Sequence, residues 1–364
     1  RSSSSVGVTE APLNSRRAFL VGGTALLGAG AFFALARSLA VTGGTAVATA
    51  VSRLPLPRQA LAPLPASVQA PVPGLAPFVT PNAAFYRIDT AFVVPRVSTS
   101  DWKLTIDGMV SRPFSITYQE LLQLPMVEQD VTIMCVSNPV GGEYIGNARW
   151  LGTPLMPLLE RAGINTGVDQ LLSTSVDGWT CSTPTEGLAA RSPLLAIGMN
   201  GEPLSAEHGF PVRMIVPGLY GFISATKWVT NITATTYQNA SAYWTERGWA
   251  TNAPVLTGSR IDLPRGSVSA GAQFIAGVAW AMNGNGISAV EVSVDDGPWQ
   301  AANLADEPNA VTWRQWWLAW DATPGSHRIQ VRATNGNGDV QTAEVADPFP
   351  SGATGLDARD VTVE

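Results

Sequence analysis

Val131-Thr132-Ile133-Met134-Cys135-Val136-Ser137-Asn138-Pro139 is the stretch on which the reading turns. An apolar, strand-like run ends on a thiol, and Pro139 with Gly141-Gly142 opens a loop at once. A cysteine at a strand end ahead of such a loop is placed to face a cleft. It reads equally as a small buried hydrophobe, and spacing alone leaves both readings open. The other cysteine, Cys181, lies within the strand-like run Trp179-Thr180-Cys181-Ser182, where core packing explains it better. A Cys135–Cys181 disulfide is a further alternative for an exported chain.

With only Cys135 and Cys181, and only His208 and His327 as histidines, the chain cannot build an all-cysteine or all-histidine metal site. Any metal must take most of its ligands from elsewhere. Charged residues are 14% of the 364, against about 25% in an average soluble domain. With 12 tryptophans and 45% hydrophobic residues, wholesale disorder is excluded. A net charge of −6 argues against a nucleic-acid partner, which calls for a basic stripe.

Around the Cys135 run, residues 81–250 mix strand-like segments (102–106, 131–135, 213–216, 228–232) with helical ones (117–123, 155–162). That is an α+β pattern. From 251 to 364 helical periodicity disappears. Short strands at 274–280, 290–294, 313–320 and 327–333 are punctuated by Asn283-Gly284-Asn285-Gly286, Asp296-Gly297 and Asn335-Gly336-Asn337-Gly338. This pattern predicts a β-sandwich of the immunoglobulin type.

Upstream, Ser15-Arg16-Arg17-Ala18-Phe19-Leu20 leads into a stretch without charge from Ala18 to Ala36. As a helix it would span about 28 Å, close to the ~30 Å hydrocarbon core of a bilayer. Leu20, Leu26, Leu27, Phe32 and Phe33 leave it no polar face. Residues 1–37 therefore read as a membrane anchor or a twin-arginine export signal. Cleavage after Ala36 or Ala48, or retention, stays open. Residues 38–80, rich in Pro and Ala, read as a semi-rigid spacer.

A second constellation runs from Glu207-His208-Gly209 through Arg213 and Gly218 to Ala225-Thr226-Lys227. Arg supplies a bidentate fork and Lys a point charge, a combination suited to phosphate. Gly218 and Gly221 would let backbone approach an anion. Scattered surface cations are the competing explanation.

Taken together, several strings resemble the sulfite oxidase family of molybdopterin enzymes. They are Phe85-Tyr86-Arg87, Cys135-Val136-Ser137-Asn138, Ile145-Gly146-Asn147-Ala148-Arg149-Trp150, Met199-Asn200-Gly201-Glu202-Pro203-Leu204, the 208–218 string and Lys227-Trp228-Val229-Thr230. The resemblance implies a molybdopterin-binding catalytic domain over 81–250 and an immunoglobulin-like dimerisation domain over 251–364. It also implies a molybdenum–molybdopterin cofactor with Cys135 as the single protein thiolate on the metal, a soft donor that suits such a centre. His208, Arg213, Ala225, Thr226 and Lys227 match positions that contact the pterin or its phosphate. Tyr86 and Arg87 match the segment beside the metal, with Arg87 a catalytic candidate.

The chain also departs from the family. Where sulfite oxidases carry an arginine–asparagine–histidine triplet, it reads Arg87-Ile88-Asp89, and an ungapped alignment from Pro81 puts the family arginine on Ile88. In Tyr243-Trp244-Thr245-Glu246-Arg247-Gly248-Trp249, Trp249 replaces the family's active-site tyrosine; an indole donates a hydrogen bond but relays no proton.

The expected function is oxygen-atom transfer to or from a small molecule, by sulfite-like oxidation or by reduction of a sulfoxide or N-oxide. Electrons would pass through a separate partner, a membrane cytochrome or quinone-linked protein. The body would stand outside the cytoplasmic membrane of a bacterium, having crossed it already folded. The alternative is a membrane-tethered β-sandwich interaction protein whose upper domain has lost its cofactor.

Overall fold

The strand Val127–Met134 is buried along its second half, and Met134 pairs with Ile145 at the point where the chain leaves for Cys135. The computed structural model describes residues 54–364, so the expected signal at 1–37 and the start of the spacer lie outside the described residues. Within them no helix is long and apolar enough to cross a membrane.

Val127–Met134 is the edge of an antiparallel sheet that continues through Ile145–Pro154 and Leu194–Met199. Leu194–Met199 then pairs with both Glu202–Pro203 and Arg213–Ile215. A second sheet runs in the order Phe114–Thr117, Lys103–Gly108, Val229–Thr235, Gln170–Ser175, Thr180–Pro184. The stretch from Ser224 to Val229 joins the two. It follows Arg213–Ile215 through bonds from Met214 N–H to Thr226 O and from Val216 N–H to Ser224 O, then enters Val229–Thr235. Residues at the ends of strands from both sheets thus meet at one place.

Helix is scarcer than the α+β expectation. Among the described residues the α-helices are Tyr118–Leu122 and Met156–Ala162, both where helical segments were predicted. The first is closed by a capping box between Thr117 and Glu120; the second stops at Gly163, whose φ is 66°. Neither is long enough to cover a sheet face, so strands dominate.

From Gly258 onward two four-stranded antiparallel sheets share one core. Ile261, Ile275 and Trp316 of one sheet pack with Val290, Ile329, Val331 and Val361 of the other. The predicted Asp296-Gly297 turn is present, with Asp295 and Asp296 at φ of 54° and 55°.

The spacer expectation is corrected for its described part. Val68, Ala70, Val72, Leu75 and Phe78 are buried, and Ala70, Val72 and Leu75 cluster with Ala276 and Ala305. The prolines remove N–H donors but leave carbonyls and the apolar residues between them free to bind. Phe78 O accepts from Trp313 Nε1 at 2.9 Å and from Asn147 Nδ2 at 3.0 Å.

The sandwich region also covers the edge of the Cys135 strand. Thr132 N–H donates to Val311 O at 3.0 Å, and Trp313 N–H donates to Thr132 Oγ1 at 2.8 Å. The Thr132 hydroxyl donates in turn to Asn147 Oδ1 at 3.0 Å. An open edge is thereby closed. Thr132→Val should leave the buried Trp313 N–H unpaired and destabilise the protein by about 1–3 kcal/mol, measured by urea unfolding. Thr132→Ser should restore most of the loss.

Candidate functional site

A cavity of about 210 Å³ opens where the two sheets meet, and Tyr86, Cys135, His208, Arg213, Ala225 and Lys227 are among its walls. These come from four separate stretches of chain, at 86, 135, 208–213 and 225–227. Two other expected site residues, Arg87 and Thr226, are not among the walls.

Cys135 is half-buried. Its N–H donates to Tyr144 O at 2.9 Å and its carbonyl accepts from Asn138 N–H at 3.1 Å, so the chain turns immediately after the sulfur. Sγ lies 3.0 Å from Ser137 Oγ. Burial pushes the thiol pKa up, partly offset by Ser137. A free Cys135 is therefore protonated at neutral pH, and a bound metal would have to displace the proton. Tyr86 beside it is also pushed up, by burial and by Cys135. Cys181 is fully buried, and both cysteines are free thiols.

Arg213 is 5% exposed. Its Nη1 donates to His208 O at 3.2 Å, and its guanidinium carbon sits 5.1 Å from the centre of the Trp150 ring. Nε has no partner, and Arg213 forms no ion pair among the described residues. Burial pulls its pKa down to about 10, which still leaves it charged at neutral pH. His208 is held neutral by burial and by the Arg213 charge. Its Nε2 lies 3.0 Å from Asn82 O, which fixes the tautomer with the proton on Nε2.

Lys227 is the second buried cation. Nζ donates to Asp89 Oδ2 at 2.5 Å and to Glu207 O at 3.1 Å, and lies 4.8 Å from the centre of the Trp228 ring. Burial draws its pKa down to about 8 against the opposing pull of Asp89. Asp89 also receives Arg87 Nε at 2.8 Å, which turns that half-exposed guanidinium onto the carboxylate. Burial pushes the Asp89 carboxyl up, but the bonds from Arg87 and Lys227 outweigh it and hold the group ionised.

Local backbone explains why the two buried cations share one wall. Gly209 has φ of 105°, and a Cβ there would lie 3.1 Å from both Arg213 Cβ and Lys227 Cβ. Trp228 has φ of 50°, uncommon for a bulky residue. Its indole N–H is anchored to Ala206 O at 2.8 Å. Thr226 turns the other way, its hydroxyl 2.6 Å from Ser173 Oγ in the buried interior. Gly218 likewise serves packing: a Cβ there would meet Arg191 Nη1 at 2.6 Å. Of the two glycines expected near an anion, only Gly221 is among the cavity walls.

Sequence reasoning missed the aromatic share of the cavity. Trp179, Phe222 and Trp244 line it alongside Trp249. Large aromatics in turn-forming stretches, such as Trp179 after Asp177-Gly178, were the available signal.

Residues 91–244 match the family model described as an oxidoreductase molybdopterin binding domain. The Bacillus subtilis oxidoreductase YuiH is 32% identical over 148 residues, 41% of this chain and 72% of that protein. Human mitochondrial sulfite oxidase is 27% identical, covering 74% of this chain and 58% of its own length. For the inducible NADH nitrate reductase 2 of Glycine max the figures are 29% identity, 70% and 36%. The chain thus spans about a third to three-quarters of these relatives. The sulfane dehydrogenase SoxCD from Paracoccus pantotrophus shares the fold, with a TM-score of 0.69 and 24% identity over 84% of this chain and 88% of that one.

The depressed Lys227 pKa makes a signed prediction for cofactor-free protein. Between about pH 8, its folded value, and 10.5, its ordinary one, the unfolded chain holds the proton that the folded chain has lost. Stability contributed by this group therefore rises with pH across that window. Subtracting a Lys227→Met pH–stability profile from that of the parent should isolate this rise. A flat difference would contradict it.

Proposed function

The chain belongs to the sulfite oxidase family of molybdopterin-dependent oxidoreductases, and we propose that it transfers an oxygen atom to or from a small molecule at a molybdenum held by Cys135. The observation that carries this reading is Arg213, a buried guanidinium with an orphaned Nε on the wall that also presents the Cys135 thiol. A buried charge without a counterion is costly, and a phosphate-bearing ligand would supply the missing partner. A lone sulfur donor suits a metal that brings its other sulfur ligands with it. The described residues hold no group of three or more His, Cys, Asp and Glu side chains able to bind a metal by themselves.

When bound, the molybdenum supplies the oxygen-atom and electron chemistry, and the protein binds, orients and excludes water. Arg213 and the Gly209 turn would hold the anionic end of the pterin. His208, neutral and donating from Nε2 to Asn82 O, leaves Nδ1 as an acceptor for a pterin N–H. Lys227 adds a second positive charge to the wall, tempered by Asp89. Tyr86 keeps its proton at neutral pH and is a hydrogen-bond donor toward the metal end. Arg87, turned onto Asp89 and not among the cavity walls, would act through that carboxylate rather than on substrate.

Sulfite-like oxidation and reduction of a sulfoxide or N-oxide both fit this arrangement. Residues 81–250 would form the catalytic domain. The two-sheet region from 251 onward is read as immunoglobulin-like and as the dimerisation domain. The Arg16-Arg17 string supports twin-arginine export to the outer face of a bacterial cytoplasmic membrane, where a membrane cytochrome or quinone-linked protein would exchange electrons with it.

Protein made in a cofactor-competent host should contain about one molybdenum per chain by elemental analysis; none would overturn the reading. Cys135→Ser should abolish turnover while pterin, assayed by its fluorescent oxidation product, stays bound. Charge-assisted hydrogen bonds contribute roughly 1.5–3 kcal/mol each. Arg213→Ala should therefore lower molybdenum occupancy while leaving turnover per bound metal nearly unchanged; full occupancy would reject its role.

A further inference from the structure

Beside the buried cations, the cavity walls carry a second, apolar chemistry. Ile88, 44% exposed, is one of the cavity's lining residues. Around it the walls are aromatic. The Trp249 ring centre lies 5.8 Å from that of Phe222 and 6.1 Å from that of Trp244. These rings are fixed from behind. Phe349 packs edge-on against Trp249 at 5.3 Å. The Tyr243 N–H donates to Thr180 Oγ1 at 2.9 Å, which ties this loop to the strand next to Trp179.

Among the described residues, the Lys and Arg side chains in the walls are Arg213 and Lys227. Neither is offered to a small anion at the mouth. Lys227 is paired with Asp89, which also neutralises Arg87, and Arg213 is the group assigned above to the anionic end of the pterin. An oxyanion such as sulfite or nitrate needs unpaired, converging donors to replace its hydration. An uncharged organic molecule instead gains from the rings, by burial of apolar surface and by offset or edge-on stacking.

We propose that the site takes an uncharged organic molecule whose apolar substituent lies among Ile88, Phe222, Trp244 and Trp249, in preference to a small inorganic oxyanion. The polar end of such a molecule then points down the cavity toward Cys135. This rests on the reading of the cavity as the molybdopterin site. It narrows the substrate to organic sulfur or nitrogen oxides and their reduced forms.

Methyl phenyl sulfoxide, titrated calorimetrically into the molybdenum-loaded protein, is the test, with metal content measured on the same samples. Saturable binding is expected, weakened about tenfold by Trp244→Ala and less by the conservative Trp249→Phe. Sulfite and nitrate, each at tenfold higher concentration, should leave that binding unchanged. Displacement by either anion, or equal affinity in both tryptophan variants and the parent, overturns the proposal. A loaded protein that does not bind the sulfoxide defeats this inference alone. Protein from a cofactor-competent host that holds no molybdenum defeats the cofactor reading beneath it.

Discussion

A guanidinium that is 5% exposed, with an unpartnered Nε and no ion pair among the described residues, imposes a demand that much of the surrounding structure serves. Removing a charge from water costs several kcal/mol unless something replaces its hydration. Among the described residues, the His208 carbonyl and the face of Trp150 take its place. The neighbouring groups do not relieve the imbalance. His208 is neutral, Lys227 is positive, and Asp89 is already shared between Lys227 and Arg87. The Arg213 side of the wall therefore keeps an unpaired positive charge in a poorly solvated place. Such an arrangement is stable in a folded protein when the missing anion arrives with a ligand.

Holding that wall together requires backbone that most residues resist. Gly209 removes the Cβ that would wedge Arg213 from Lys227, and Trp228 takes a left-handed conformation directly after Lys227. Strain of this kind persists only where surrounding contacts over-determine it. The Trp228 indole bond to Ala206 O and the bond from Val229 N–H to Val212 O are such contacts. Cys135 is fixed from another direction. Its strand is an edge strand, closed by residues 309–313 of the sandwich region, and the loop after it is held by Arg260 Nη1 on Gly142 O at 3.1 Å. The sandwich thus contributes to where the thiol stands, apart from any part it plays in assembly.

The sequence announced the strands well because their signals are local. Apolar runs at 131–134 and 213–216 and the Asn/Gly turns after residue 280 need no tertiary context to be read. Cys135, His208, Arg213 and Lys227 were legible as a set through family strings, and the fold brings them to one cavity. What failed was long-range. Proline density at 55–77 reads as a spacer, but Ala70, Val72 and Leu75 find a surface more than 190 residues away, at Ala276 and Ala305. The partnership of Asp89 with Lys227 joins residues 138 positions apart and could not be inferred from spacing. Thr226 shows the limit of carrying a string over whole. Its neighbours Ala225 and Lys227 face the cavity, while its own hydroxyl is spent on Ser173.

Asp89 separates the two halves of the cavity electrostatically. Without it, Lys227 would stand in the wall as a second uncompensated cation, with Arg87 close by, and the cavity would attract small anions. With it, the surplus positive charge is confined to the Arg213 side, beneath Trp150 and next to His208. One part of the cavity wall carries the unpartnered guanidinium, and another is lined by Phe222, Trp244 and Trp249. A site divided in this way can bind a phosphate-bearing cofactor firmly while leaving the approach to it apolar.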